Sequence, residues 1–200
     1  NAYSRKLNEV QKEEWTKVKG RFQELVFVEP IEQLLYLAST QIDASRTMQN
    51  DDFVIDSLAS LAKKTGFVSQ NFSEATAQAL APLEPFAAYV ITQAIQRYGQ
   101  NERSLFSFLN ARGRNSLSEY EGKIYQLQCC YDYIYYNFYS YLKEANADSM
   151  QWSSMQVAIE RVEGQLWDTK TDLVDAIKLV KAIGLLNLFG NASFKMSRED

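Results

Sequence analysis

The chain contains no histidine. That removes Ser-His and Cys-His nucleophile pairs, imidazole acid–base chemistry and histidine metal ligation. Its two cysteines, Cys129 and Cys130, are adjacent, whereas zinc sites want spaced ligands. They read as free, mostly buried thiols in a reducing compartment, with a vicinal disulfide as the alternative. Only three prolines and eight glycines occur in 200 residues, too few for a many-turned β fold or a disordered chain. No apolar run approaches the roughly 20 residues of a membrane span. A net charge of −4 gives no global signature of nucleic-acid binding. Neither GxxxxGKS/T nor GxGxxG occurs, so the chain has no recognisable phosphate-cradling loop of its own.

What remains is helical periodicity. Leu7, Val10, Trp15 and Val18 are sparse apolar positions in a polar, helix-prone segment over 4–19 that Gly20 ends. Phe22 to Val28 predicts a short strand that Pro30 stops, and Ile31, Leu34, Leu35 and Ala38 begin a helix. Asp51 and Asp52 cap a further helix through Val54, Leu58 and Leu61, with Lys63 and Lys64 at its negative end and Gly66 just past it. An Ala-rich stretch covers Ser73 to Leu80. The next helix, about Pro85 to Tyr98, carries Phe86, Val90, Ile91, Ala94 and Ile95. Gly99 stops it, Asn101 is a candidate N-cap, and Leu105, Phe108 and Leu109 share the next helical face.

ARGRNSLSEYEG (111–122) is polar and glycine-bearing, and is the best internal boundary. Beyond it, KIYQLQCCYDYIYYNFYSYL places Tyr131, Ile134, Phe138 and Leu142 at helical spacing, beside Tyr135 and Tyr139. Asp148 or Ser149 caps a helix with Trp152, Met155, Ile159 and Val162, which Gly164 breaks. A last helix from about Thr169 carries Leu173, Ile177 and Val180 into AIGLLNLFG. The expected fold class is mainly α: a helical lid-like bundle followed by a second helical, winged-helix-like unit, with at most two short strands.

Two arginines stand out. Arg21 sits between a helix and a short strand. Arg103 sits in the first turn of a helix, where the partial positive charge of the helix start disfavours it by some tenths of a kcal/mol. Either it points away from that start, or an anion belongs there, because helix dipole and guanidinium together favour a phosphate. The tyrosine-rich stretch 125–141 could stack on bases, but no Lys or Arg interleaves between Tyr125 and Tyr141, so core packing is the better reading. Arg112, Arg114 and Lys123 form a small basic cluster.

GRFQELVFVEPIEQLLYLA resembles the passage in AAA+ ATPases that leaves the nucleotide-binding core for the helical lid. YGQNERSLFSFL resembles the sensor-2 helix of that lid. The resemblance is closer to a group of large bacterial P-loop ATPases, many in defence-associated gene neighbourhoods, where phrases similar to EWTKVKGRF, RYGQNERSLFSFL, CYDYIYYN and KAIGLLNLFG appear in this order across roughly 13–190. It implies residues 1–28 as the trailing edge of an ATPase core, 29–112 as the lid and 113–200 as a C-terminal helical domain. Arg103 would be a sensor-2 arginine on the γ-phosphate, with Asn101 setting the helix start beside it. Arg21 would be an arginine finger toward a neighbouring subunit.

Walker A, Walker B and sensor 1 would lie upstream. The expectation is therefore an excised piece, with Asn1 and Ala2 as a tag scar, inactive alone. ATP and Mg would be held by the upstream core and not by the isolated chain. The expected partners are the remainder of the parent ATPase and further copies of the chain, with weakly supported nucleic acid and no membrane, in the cytoplasm. A free-standing helical protein-interaction module is the alternative, and a DNA-binding helical domain the third reading.

Overall fold

The computed structural model describes residues 30–42, 52–99, 105–110, 113–144 and 147–190. The expected helix over 4–19, the strand at Val26 and Val28, and the caps at Asp51 and Asn101 lie outside these residues. The described residues are mainly helical: α1 (Ile31–Ser39), α2 (Asp52–Lys64), α3 (Glu74–Ala79), α4 (Pro85–Tyr98), α5 (Leu105–Asn110), a 3-10 turn (Leu117–Glu119), α6 (Leu127–Asn137), α7 (Tyr139–Lys143), α8 (Ser149–Glu163) and α9 (Lys170–Phe189). Extended pairing among them is a single parallel bridge between Leu83 and Tyr125. No described helix is long and apolar enough to cross a membrane.

Local signals set most helix ends. Ser73 accepts a 3.0 Å bond from the Thr76 N–H and opens α3. Thr169 and Asp172 form a reciprocal capping box at the start of α9. After α2, the Phe67 N–H reaches the Ala62 carbonyl at 2.9 Å and the Gly66 N–H reaches Lys63 at 3.0 Å. This Schellman closure needs a left-handed residue, and Gly66 has φ 75°. Phe67 then turns back into the core, packing edge-on to Phe86 at 5.1 Å.

α4 is the axis of the structure. Phe86, Val90, Ile91, Ala94 and Ile95 are buried as their spacing predicts, but so are Ala87, Ala88 and Thr92. Only one stripe of α4, made by Tyr89, Gln93, Gln96 and Arg97, reaches solvent, so it is a central helix enclosed around most of its circumference. α1, α2, α6 and α9 pack around it. One continuous cluster of buried side chains runs from Leu35 in α1 to Phe189 in α9, on both sides of the 111–122 segment.

Three elements differ from their sequence patterns. The run from Lys123 becomes helical only at Leu127, because Tyr125 is drawn into the bridge with Leu83 and its hydroxyl donates to the Asn115 carbonyl at 2.7 Å. The helix then breaks at Phe138 (φ −113°, ψ 15°), and both Phe138 and Leu142 reach the core across the break. In α9, Leu173, Ile177 and Val180 are only half-buried, while Leu185 and Phe189 near its C-terminus are the deeply buried positions. Gly184 allows the close approach of α8: a Cβ there would collide with the Met155 side chain.

Replacing Gly66 with alanine forces an L side chain into the left-handed region. Gly66→Ala is expected to destabilise the chain by about 1 kcal/mol. Urea denaturation checks this, with an unchanged midpoint as the contrary result.

Candidate functional site

Arg21, Asn101 and Arg103 lie outside the described residues, as does Arg112. The structure describes the frame on which Asn101 and Arg103 are carried, from Gly99 on one side to Leu105 on the other. α4 ends at Tyr98, and the Gly99 N–H closes it on the Ile95 carbonyl at 2.7 Å. Gly99 is extended (φ −71°, ψ 107°), so the helix stops here without a left-handed glycine.

Tyr98 is the anchor on that side. It is 2% exposed. Its hydroxyl donates to Asp148 Oδ2 at 2.8 Å and accepts from Trp152 Nε1 at 3.2 Å. Arg97 Nη1 meets the same Asp148 oxygen at 3.2 Å, and its guanidinium lies 5.0 Å from the Phe189 ring centroid. The Tyr98 ring is surrounded by Phe138, Tyr141, Trp152 and Phe189. Burial pushes the Tyr98 hydroxyl well above the ordinary tyrosine value, so it stays a proton donor. Asp148 occupies the N-cap position of α8 but makes no cap hydrogen bond with its side chain.

On the far side, Leu105, Phe108 and Leu109 are buried together, as their spacing predicts. Phe108 packs edge-on to Tyr125 at 5.5 Å and to Tyr133 at 4.8 Å. Both ends of the 100–104 segment are therefore fastened to the same core.

Glu84 is the polar residue that sequence reasoning passed over. It is the one charged side chain among the described buried residues, at 7% exposure. Its backbone precedes Pro85 at the start of α4, and its Oε1 accepts from the Leu127 N–H at 2.5 Å at the start of α6. The beginnings of two helices thus meet at one buried carboxyl group. Burial raises the Glu84 pKa from 4.5 to about 7, with the Leu127 hydrogen bond opposing it. An acidic residue directly before a proline-led helix was the available signal. That Leu127 would meet it was not legible.

The tyrosine-rich stretch divides. Tyr125, Tyr131 and Tyr133 are buried, while Tyr136 and Tyr139 are exposed. Cations still reach three of these rings: Arg114 lies 4.6 Å from Tyr136 and Lys181 5.3 Å from Tyr131, both from other elements, and Lys143 lies 5.4 Å from Tyr139, one turn away on the same helix. Cys129 and Cys130 are free thiols, and burial raises both pKa values, which keeps them unreactive.

An open cleft of ≈ 550 Å³ lies where the chain enters α1, lined by Ile31, Glu32, Phe67, Val68 and Tyr89 among others. Its one acidic group is engaged, since Glu32 accepts from the Ser69 N–H at 2.6 Å and from its hydroxyl at 2.9 Å. The described lining offers no cation to a phosphate. No group of three or more His, Cys, Asp or Glu residues that could hold a metal ion occurs among the described residues.

Two outcomes follow from these geometries. The folded state keeps a proton on Glu84 up to about pH 7, whereas the unfolded chain releases it near 4.5. Stability from this group is therefore full below pH 4.5 and lost as pH rises through 7, by on the order of 3 kcal/mol. Glu84→Gln should flatten that slope in denaturation midpoints taken from pH 4.5 to 8, and parallel slopes for the two proteins would contradict it. Tyr98→Phe strips the Trp152 N–H of its acceptor and is expected to cost about 1–2 kcal/mol in urea denaturation.

No protein-family model matches this chain, and neither a curated protein nor a solved structure matches it.

Proposed function

We propose that this chain is the nucleotide-sensing lid and coupling region of a larger ATP-hydrolysing protein, whose P-loop core holds ATP and Mg. In this reading Arg103 contacts the γ-phosphate, Asn101 sets the start of its helix, and Arg21 reaches the nucleotide of a neighbouring subunit. A planar guanidinium suits phosphate and the charge that develops on it during transfer.

One observation carries the reading. The phrases that resemble the bacterial P-loop ATPases are far apart in sequence, yet three of them meet in one cluster. Tyr98 and Arg97 of RYGQNERSLFSFL lie against Phe189 of KAIGLLNLFG, at 6.0 and 5.0 Å. Phe108 of the first phrase packs on Tyr133 of CYDYIYYN at 4.8 Å. Lys181 of the last phrase bonds Asp132 of CYDYIYYN at 2.7 Å. A shift of the 100–104 segment on nucleotide binding would pull on Tyr98, and through Asp148 and Trp152 on α8. That is a physical route from phosphate to helical motion.

A second reading, a helical protein-interaction module, is favoured by a different feature: α1 and α2 leave Tyr36 61% and Phe53 79% exposed.

ATP turnover by the full-length parent tests the first reading. Arg103→Ala is expected to lower turnover at least ~10-fold with the fold intact, and Arg21→Ala by up to the ~10³-fold or more seen for arginine fingers. Wild-type turnover in both variants would transfer the argument to the interaction module.

A further inference from the structure

α8 and α9 form an antiparallel pair that packs on α4 and α6 mainly through Trp152, Met155, Leu185 and Phe189. Away from these contacts the pair keeps a row of exposed apolar side chains. Met150 and Val157, seven residues apart on α8, line a groove with Val180 of α9, rimmed by Ser153, Ser154 and Arg161. Met150 is 78% and Val157 44% exposed. On α9, Ile183 lies about 60° around the helix from Val180, and Leu179 about 40° further. They are 41% and 62% exposed. No described residue covers this face.

We propose that this chain self-associates through the α8–α9 face, two copies packing hairpin on hairpin about a two-fold axis. What completes a two-helix layer with exposed apolar side chains on its outer face is a second such layer, as in a four-helix bundle. The size fits. α9 has 20 residues and α8 15, so they are about 30 and about 22 Å long, and side by side they present about 500 Å² per copy, or about 1,000 Å² in all, the lower bound for a specific interface. The charge fits as well. Residues 149–190 carry five acidic and four basic side chains, a net charge of −1. A near-neutral hairpin meets its own copy with little repulsion and offers little to a strongly charged partner such as nucleic acid. Nothing in this proposal depends on the nucleotide reading.

Sedimentation equilibrium of the 200-residue chain tests it, over about 1 to about 100 µM, the range that an interface of this size supports. The wild type is expected to approach twice the 23.0 kDa chain mass. Leu179→Asp with Ile183→Asp should weaken association at least ~100-fold. Unchanged circular dichroism would show that the fold persists. Val174→Asp is the control: Val174 is 48% exposed but sits about 140° around α9 from Leu179, so association should persist. A monomeric wild type at the highest concentration overturns the proposal. So does a double variant that associates like wild type, or a Val174→Asp chain that dissociates equally.

Discussion

A helix with apolar residues around most of its circumference can be stable only when its neighbours cover them. α4 is that helix here, and the described architecture follows from enclosing it. α1, α2, α6 and α9 pack along it, and α5 touches it as well. Ala87, Ala88 and Ala94 leave room for neighbouring helices to approach, while Phe86, Val90, Ile91 and Ile95 fill the spaces between them.

Enclosure moves the difficulty to the helix ends, where backbone polar groups lose their partners. At the start of α4, Glu84 takes the Leu127 N–H and so joins α4 to α6. At the end, Tyr98 sits between Asp148 and Trp152 and joins α4 to α8. Both are polar groups drawn inside at an energetic cost, and both are satisfied by residues more than 40 positions away in sequence. Such contacts align helices more exactingly than apolar packing does, because a hydrogen bond tolerates little change in distance or angle. The second of them also lies directly before the segment that carries Asn101 and Arg103, and so sets how that segment is held.

Hairpin α8–α9 is tied to this core at one end. Its contacts with the remainder of the chain gather at Trp152, Met155, Leu185 and Phe189, whereas Val157, Leu179 and Ile183 stay in contact with solvent. A sequence pattern alone does not separate these groups, since α9 carries apolar residues around most of its circumference. Which of them are core and which are surface depends on where Gly184 lets Met155 approach.

The sequence by itself determined the helical class and many of the helix ends, because periodicity, caps and helix stops act over a few residues: Ser73, Thr169, Gly66 and Gly164 each work through contacts within one turn. It also singled out Leu105, Phe108 and Leu109 as one buried face. Only tertiary structure decided that α4 is enclosed, that Tyr125 leaves the helical run, that Phe138 breaks it, and that Glu84 and Asp148 turn inward. The same holds for Arg114 and Lys181, which find tyrosines that no local pattern connects them to. The proposed site residues Arg21, Asn101 and Arg103 rest on the sequence alone. The physical reason for the divide is range: a helix cap is satisfied by its own neighbours in the chain, whereas a buried polar group needs a partner that only the folded chain brings to it.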